Sequence, residues 1–309
     1  MDNTNFHIPV LKNDSIRELI TDTDGIYIDA TLGYGGHTKA ILEATTDNSR
    51  IFGIDKDLDA IDFNNEEFVT EKRITLKHGC FSSIQEYAKN WNIFGSVNGI
   101  MFDLGVSSVH LDDANRGFSF SKDAPLDMRF NRTKGKTASD YLNELPEEEI
   151  EKILRIYGQE KFSKRIAKNI MKYRENKKIT NTLELVNIIN KSVLVNDKYK
   201  HNATRSFQAL RIFINQELDV LKEVLEKSYD VLAPNGRLVL ITYHSLEERT
   251  IKDFLVFTDE YLSAPRKMPI KPEFMNKMFN LIKKIKPSDD EIKQNPRSRS
   301  AKINVLEKQ

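Results

Sequence analysis

The stretch "GIYIDATLGYGGHT", residues 25–38, decides the fold. "GIYIDATL" reads as a buried strand. It empties into glycines at 33, 35 and 36, and "HTKAILEAT" beyond them has helical spacing. A glycine-rich turn between a first strand and a helix lets a ligand come close to the backbone. Working outward, "RIFGIDKD" (50–57) is a second strand closing on an acid. Asp55 lies 19 residues after Gly36, where an acid accepts hydrogen bonds from ribose hydroxyls. "LDAIDFNNEEF" reads as a helix, "RITLKHGCF" as a third strand, and "VNGIMFDLGVSS" (97–108) as a fourth strand ending on Asp103. Strands alternating with helices predict an α/β fold, a parallel sheet covered on both faces.

The rhythm then breaks. "LDDANRGFSFSKDAPLDMRFNRTKGKT" (111–137) is rich in turn formers and has no long period. A helix opening at Pro146 is expected to run to Gly158, read as its C-terminal cap. In "QEKFSKRIAKNIMKYRE", Phe162, Ile166, Ile170 and Tyr173 form one stripe. Lys161, Arg165, Lys168 and Lys172 form a second at the same helical spacing. "TLELVNIINKSV" is a further helix. From Ser206 the α/β character returns. "FQALRIFINQELDVLKEVLEKSYDVL" reads as one long amphipathic helix, and "NGRLVLITYHS" as a turn and a strand. "LEERTIKDFLVF" is a helix, and "NLIKKIKP" and "RSAKINVLEK" are two last strands antiparallel to each other. The simplest architecture is one α/β domain, 1–112 plus 206–309, with a helical domain inserted at 113–205.

Composition bounds the function. The 309 residues allow one large domain or two, with a charged fraction of 30%. No apolar run approaches the roughly 20 residues that span a bilayer. The start, "MDNTNFHIPVLKND", lacks the pattern of a signal peptide, so a cytoplasmic protein with no membrane association is expected. The single cysteine, Cys80, excludes an internal disulfide framework and a cysteine-rich zinc site, and no structural metal is expected. The net charge of +1 hides an asymmetry. Residues 116–205 carry 20 Lys and Arg against 12 Asp and Glu, and residues 261–309 carry 12 against 5. Such blocks point to a polyanionic partner, with solvated helix faces as the alternative.

Gly33 and Gly35 fit a dinucleotide pattern, but its third glycine is replaced by Thr38, so a pyrophosphate loop and an NAD-dependent dehydrogenase are poorly matched. A nucleoside ligand without phosphates, S-adenosylmethionine, fits better. "HIPVL", "DATLGYGGHT", "DLGVSS", "RGFSFSKDAPLDMRF", "ATRSFQALRIFIN", "YHSLEER" and "NPRSRSAK" span nearly the whole chain. In these the chain resembles the family of ribosomal RNA small-subunit methyltransferase H, also called MraW. The resemblance implies a class I S-adenosylmethionine methyltransferase, Rossmann-like, with an inserted helical domain. It also implies methylation of the exocyclic N4 of a cytidine in 16S rRNA, in the small ribosomal subunit near the P site. Cofactor contacts carry over to Gly35, Gly36, His37, Asp55, Phe81 and Asp103. His110 stands where the family usually has glutamine. Ala124, Phe130, Asn202 and Asn304 are smaller departures, the last at a usual arginine.

The cytosine amine is a poor nucleophile, because its lone pair is delocalised into the ring. The protein must hold it in line and stabilise the charge that develops on nitrogen. Asp103 and the carbonyl of Leu104 end the fourth strand where this fold presents the acceptor, with service to the cofactor alone as the alternative for Asp103. His244, in "YHSLEER", ends the next strand and is a candidate for orienting the base or taking a proton. "RGFSF" sets Phe118 and Phe120 on one side of an extended segment beside Arg116, which suits a flipped base or core packing. The roles of Asp127, Met128 and Arg129 do not follow from spacing. The alternative function is a non-catalytic RNA-binding module on a vestigial methyltransferase fold, which the intact loop, Asp55 and Asp103 disfavour.

Overall fold

The computed structural model describes residues 9–195, 201–260 and 278–309. His7 and Ile8 of "HIPVL", and 261–277 of the basic C-terminal block, lie outside them. The strands are β1 (Ile26–Asp29), β2 (Arg50–Asp55), β3 (Ile74–His78), β4 (Val97–Asp103), β5 (Leu232–Thr242), β6 (Phe279–Ile285) and β7 (Lys302–Lys308). The helices are α1 (Lys12–Leu19), α2 (Gly36–Ala44), α3 (Leu58–Glu67), α4 (Ile84–Asn90), α5 (Ser108–Asp112), α6 (Ala138–Glu144) and α7 (Glu147–Gly158). They continue with α8 (Ser163–Arg174), α9 (Thr182–Ser192), α10 (Ala203–Asn215), α11 (Glu217–Val231), α12 (Ser245–Glu260) and α13 (Asp289–Gln294). Among the described residues no helix is long and apolar enough to cross a membrane.

The chain divides into two compact units, Met1–Gly105 with Leu218–Gln309, and Val106–Glu217. The first holds one seven-stranded sheet, ordered β3-β2-β1-β4-β5-β7-β6. The first five strands in that order are mutually parallel, and β7 runs antiparallel between β5 and β6. Side chains alternate across the sheet with a period of two. Ile28, Phe52, Ile100, Phe102 and Leu240 face one way, packing with Ile84 of α4, Leu225 of α11 and Ile251 of α12. Tyr27, Ile51, Met101, Val239 and Ile303 face the other, packing with Leu19 of α1 and Ile41 of α2. Both faces are therefore apolar, as a sheet covered on two sides requires. The strand order reverses between β1 and β4. Ligands of such sheets bind at that switch point, beyond the carboxyl ends of the strands.

The second unit is helical, α5 to α10 around a core that includes Ile153, Leu154, Ile166, Ile170, Ile189, Phe207 and Leu210. Two local readings change here. The single helix expected across 207–232 is two helices, because Gln216 adopts φ 53 between α10 and α11. Asn215 fixes the break: its Oδ1 accepts from Phe130 N at 2.8 Å, and its Nδ2 donates to Met128 O at 2.8 Å. Gly158 is the last residue of α7 and not its left-handed cap, a conformation taken by Gln159 at φ 50. Gly158 meets a different need, close approach: a Cβ there would lie 2.6 Å from the carbonyl oxygen of Arg205. The unit also begins before residue 113 and ends after 205, because α5 and the whole of α10 belong to it.

Candidate active site

The turn after β1 is shaped by contacts that admit no side chain. Gly35 sits at φ 75, and a Cβ on it would lie 2.2 Å from Asn64 Oδ1. Asn64, inside α3, donates through Nδ2 to Gly33 O at 2.8 Å and so holds the turn. Gly33 has φ 50, and among the described residues a Cβ there would meet only Thr31 O, at 3.9 Å. Among those residues its backbone therefore faces open space. Gly36 opens α2, where a Cβ would meet Pro9 Cγ at 2.4 Å. Asp55, ending β2, accepts from Gly33 N through Oδ2 and from Asp57 N through Oδ1, both at 2.8 Å.

Three acids end adjacent parallel strands. Asp29 is buried and accepts from Thr38 Oγ1 at 2.7 Å and from Thr31 N at 3.3 Å. Burial pushes its carboxyl up to about 6 against those two hydrogen bonds, with the charge of Asp55 adding to the rise. Asp103 donates through its backbone N to Thr31 Oγ1 at 2.6 Å, so Thr31 ties the end of β4 to the loop. The Asp103 carboxylate accepts from the Tyr243 hydroxyl through Oδ1 at 2.6 Å. Its Oδ2 is 3.8 Å from His37 Nδ1. Desolvation raises the Asp103 pKa to about 7; Tyr243 opposes the rise and Asp29 adds to it. Solvent reaches 27% of the side chain, which screens part of that rise. His37 itself is buried, with Nε2 3.2 Å from Val10 O. A carbonyl only accepts, so Nε2 carries the proton.

Phe81 packs edge-on against Phe102 at 5.2 Å, with Lys56 Nζ 5.8 Å above its ring. The turn from β5 into α12 is held by two glutamates. Glu247, buried, accepts through Oε2 from Tyr243 N at 2.7 Å and His244 N at 3.1 Å. Both ring nitrogens of His244 face the same residue: Nδ1 accepts from Glu247 N at 3.3 Å, and Nε2 lies 3.2 Å from Glu247 Oε1. Glu248 accepts from Thr242 Oγ1 and from Asn304 Nδ2, which gives the buried Asn304 its partner.

The remaining residues singled out in the sequence lie in the second unit. His110 is buried between Phe118 (5.2 Å) and Phe130 (5.4 Å), and Ser107 N donates to its Nδ1. Arg116 is buried and donates to the carbonyls of Arg129 and Phe130. Phe118 is buried and stacks on Phe130 at 5.5 Å. Phe120 is partly buried and stacks on His201 at 4.7 Å and 11°. Asp127 and Arg129 pair at 2.8 Å, flanking Met128 at φ 64. Arg165, Lys168 and Lys172 are exposed on α8, opposite the buried Ile166 and Ile170; Lys161, also exposed, stands in the turn before α8 and so falls off the helical stripe expected from spacing. Lys152 and Lys177 of the same unit are ion-paired, with Glu149 and Glu184.

Bare backbone at Gly33, an acid beside it, and two carboxylates at neighbouring strand ends fit a ribose-bearing ligand with a positive centre. The model of the MraW methylase family matches residues 4–309. The chain belongs to the MraW methylase family. It is 45% identical over 303 residues, 98% of both chains, to ribosomal RNA small subunit methyltransferase H of Legionella pneumophila (strain Corby). The protein of that name from Buchnera aphidicola subsp. Acyrthosiphon pisum (strain APS) is 44% identical over 97% of both chains. Among solved structures, an rRNA methylase from Streptococcus thermophilus aligns over 96% of this chain and 94% of its own, with a TM-score of 0.42 and 12% identity. As a family member the chain is an S-adenosylmethionine-dependent methyltransferase, and the α/β sheet is its methyltransferase fold. Sequence reasoning singled out Asp55 and Asp103 but passed over Asp29, Thr31, Thr38, Tyr243 and Glu247. Asp29 carried the same signal as the other two, an acid ending a strand.

Proposed function

We propose that this enzyme transfers a methyl group to the exocyclic N4 of a cytidine in 16S rRNA near the P site, acting in the cytoplasm on RNA within the small ribosomal subunit. Bound S-adenosylmethionine supplies an electrophilic methyl on a sulfonium. Gly33, Gly35 and Gly36 form the bare turn that receives it, with His37 and Phe81 beside it. Asp55, at the end of β2 beside the turn, would accept from the ribose hydroxyls. Asp29 and Asp103 place negative charge near the sulfonium.

Asp103 accepts a hydrogen bond from the N4 amine, which aligns the nitrogen and stabilises its developing positive charge. The new bond is N4–C and the bond broken is S–C, so the neutral thioether S-adenosylhomocysteine leaves and the amine's surplus proton passes to solvent. The carbonyl of Leu104 is the second acceptor on the same strand end. His244, with both ring nitrogens against Glu247, holds the turn that carries Tyr243. In the second unit, Lys161, Arg165, Lys168 and Lys172 meet phosphates. Phe120 is the aromatic of "RGFSF" closest to a base-stacking role, since Arg116 and Phe118 are buried. His110 stands with the same unit's core and is carried as a cofactor contact only by family resemblance.

One observation carries the chemistry: a partly exposed carboxylate, held at the end of β4, whose Oδ1 is engaged and whose Oδ2 has no hydrogen-bond partner among the described residues. The test is single-turnover methylation by Asp103→Ala beside its affinity for S-adenosylmethionine. The rate is expected to fall by far more than cofactor occupancy does. A fall only in proportion to occupancy would make Asp103 a binding residue.

A further inference from the structure

Methyl transfer to an aromatic amine depends on which oxygen of the carboxylate meets the amine and on that carboxylate being ionised. Asp103 lies at the carboxyl end of β4, and Tyr243 follows β5, the neighbouring parallel strand. Their side chains meet through one bond, the Tyr243 hydroxyl to Asp103 Oδ1 at 2.6 Å. That distance is typical of a hydroxyl donating to an ionised carboxylate and shorter than most neutral hydroxyl bonds. Tyr243 is itself placed from behind, because Glu247 accepts its backbone N at 2.7 Å. The backbone of Asp103 is pinned separately by Thr31 Oγ1. Main chain and carboxylate are thus fixed by different residues.

We propose that Tyr243 is a positioning residue for the transfer: by engaging Oδ1 it turns Oδ2 of Asp103 toward the substrate amine and keeps the carboxylate in its charged form. This rests on the assignment of Asp103 as the acceptor for the amine. A phenol in this place is suited to the task. It donates one hydrogen bond, carries no charge at working pH, and its own ionisation is pushed well up by burial and by the charge of Asp103. It therefore remains a donor where the enzyme works.

Among the described residues, charged and titratable groups face the pair from β1, β2, α2, α12 and α13. Asp29 from β1 adds repulsion to Asp103, and Asp55 from β2 acts in turn on Asp29. His37 from α2 stands 3.8 Å from Oδ2. Glu247 of α12 and Glu291 of α13 act on Tyr243. Tyr243→Phe changes none of these groups. It removes one bond to the charged form of Asp103, so Asp103 protonates more readily. The rate depends on the ionised form, so the acidic limb of the pH–rate profile moves to higher pH.

The experiment measures single-turnover methylation across pH, at saturating S-adenosylmethionine, on small ribosomal subunits from cells lacking this enzyme. It compares wild type, Tyr243→Phe and Asp103→Asn. In Tyr243→Phe the acidic limb is expected to move up by about one pH unit, with S-adenosylmethionine affinity on the alkaline side unchanged. If Tyr243→Phe does not fold, 3-fluorotyrosine at 243 serves instead. As a stronger donor, it should move the limb to lower pH. A purely structural role would lower the rate at every pH and leave the limb in place, and that result overturns the proposal. Asp103→Asn separates the two claims. If it retains wild-type rate and limb, the assignment of Asp103 itself is wrong. If it is inactive while the limb of the Tyr243 variants stays put, only the role of Tyr243 is wrong.

Discussion

Replacing Lys161, Arg165 and Lys168 by Gln is expected to weaken RNA binding and flatten its salt dependence without disturbing the fold. The three side chains are exposed, and none has an ion pair among the described residues, so their loss leaves no stranded carboxylate. Ile166, Ala167 and Ile170, which anchor α8, are untouched. Each phosphate contact contributes roughly 0.7 to the slope of log K against log salt for single-stranded RNA and about 0.9 for a duplex. Three contacts therefore lower the slope by roughly 2–3. Between about 50 and 200 mM salt, that amounts to roughly 20- to 40-fold less weakening in the variant than in wild type. The assay is a titration of a small-subunit RNA fragment across a salt series, with S-adenosylmethionine affinity measured at fixed salt. An unchanged RNA slope would refute the footprint on α8 and move it to the basic C-terminal block around Arg297 and Arg299. A large fall in cofactor affinity would refute the division of labour between the two units.

Asp55→Ala should weaken S-adenosylmethionine binding by roughly 1–3 kcal/mol, as expected for hydrogen bonds to a charged acceptor; unchanged affinity in calorimetry would remove it from the ribose. Glu247→Ala removes a buried acceptor from two backbone N–H groups and should destabilise the fold by roughly 2–4 kcal/mol in urea unfolding, whereas a loss near zero would show that the turn holds without it. The raised pKa of Asp103, about 7, means that the folded protein holds a proton the unfolded chain releases near the ordinary carboxyl value of 3.8. Stability is therefore gained as pH falls through 7 and lost as the group ionises. Asp103→Asn should accordingly melt furthest above wild type at pH 8, with the gap narrowing steadily as pH falls from 7 toward 3.8; a melting difference independent of pH would contradict this.

Much of the fold is legible because the strands and helices of the first unit follow local periods. The inner parallel strands β1, β2 and β4 are apolar on both faces and end on an acid, and the glycine run marks the first crossover. The break at Gln216 is not legible, because the apolar spacing of α10 and α11 continues across it. The break is set by Asn215 bonding to Phe130 and Met128, more than 80 residues away. Gly158 misleads for a related reason: a glycine needed for close approach looks in sequence like a glycine needed for a left-handed turn. Asp55 and Asp103 stand out as strand-end acids. Tyr243 does not, because the bond that gives it meaning spans 140 residues. "RGFSF" is ambiguous at the level of chemistry. An arginine beside aromatics can cradle a base or close a core, and Arg116 and Phe118 are buried among carbonyls and rings.

The most direct measurement is nucleoside mass mapping of 16S rRNA after small subunits from cells lacking this enzyme are incubated with the purified protein and methyl-deuterated S-adenosylmethionine. The account predicts one labelled methyl, on the N4 of a cytidine near the P site, and none with Asp103→Ala. Label at a ring carbon, on another base, or in equal amount with Asp103→Ala would contradict it.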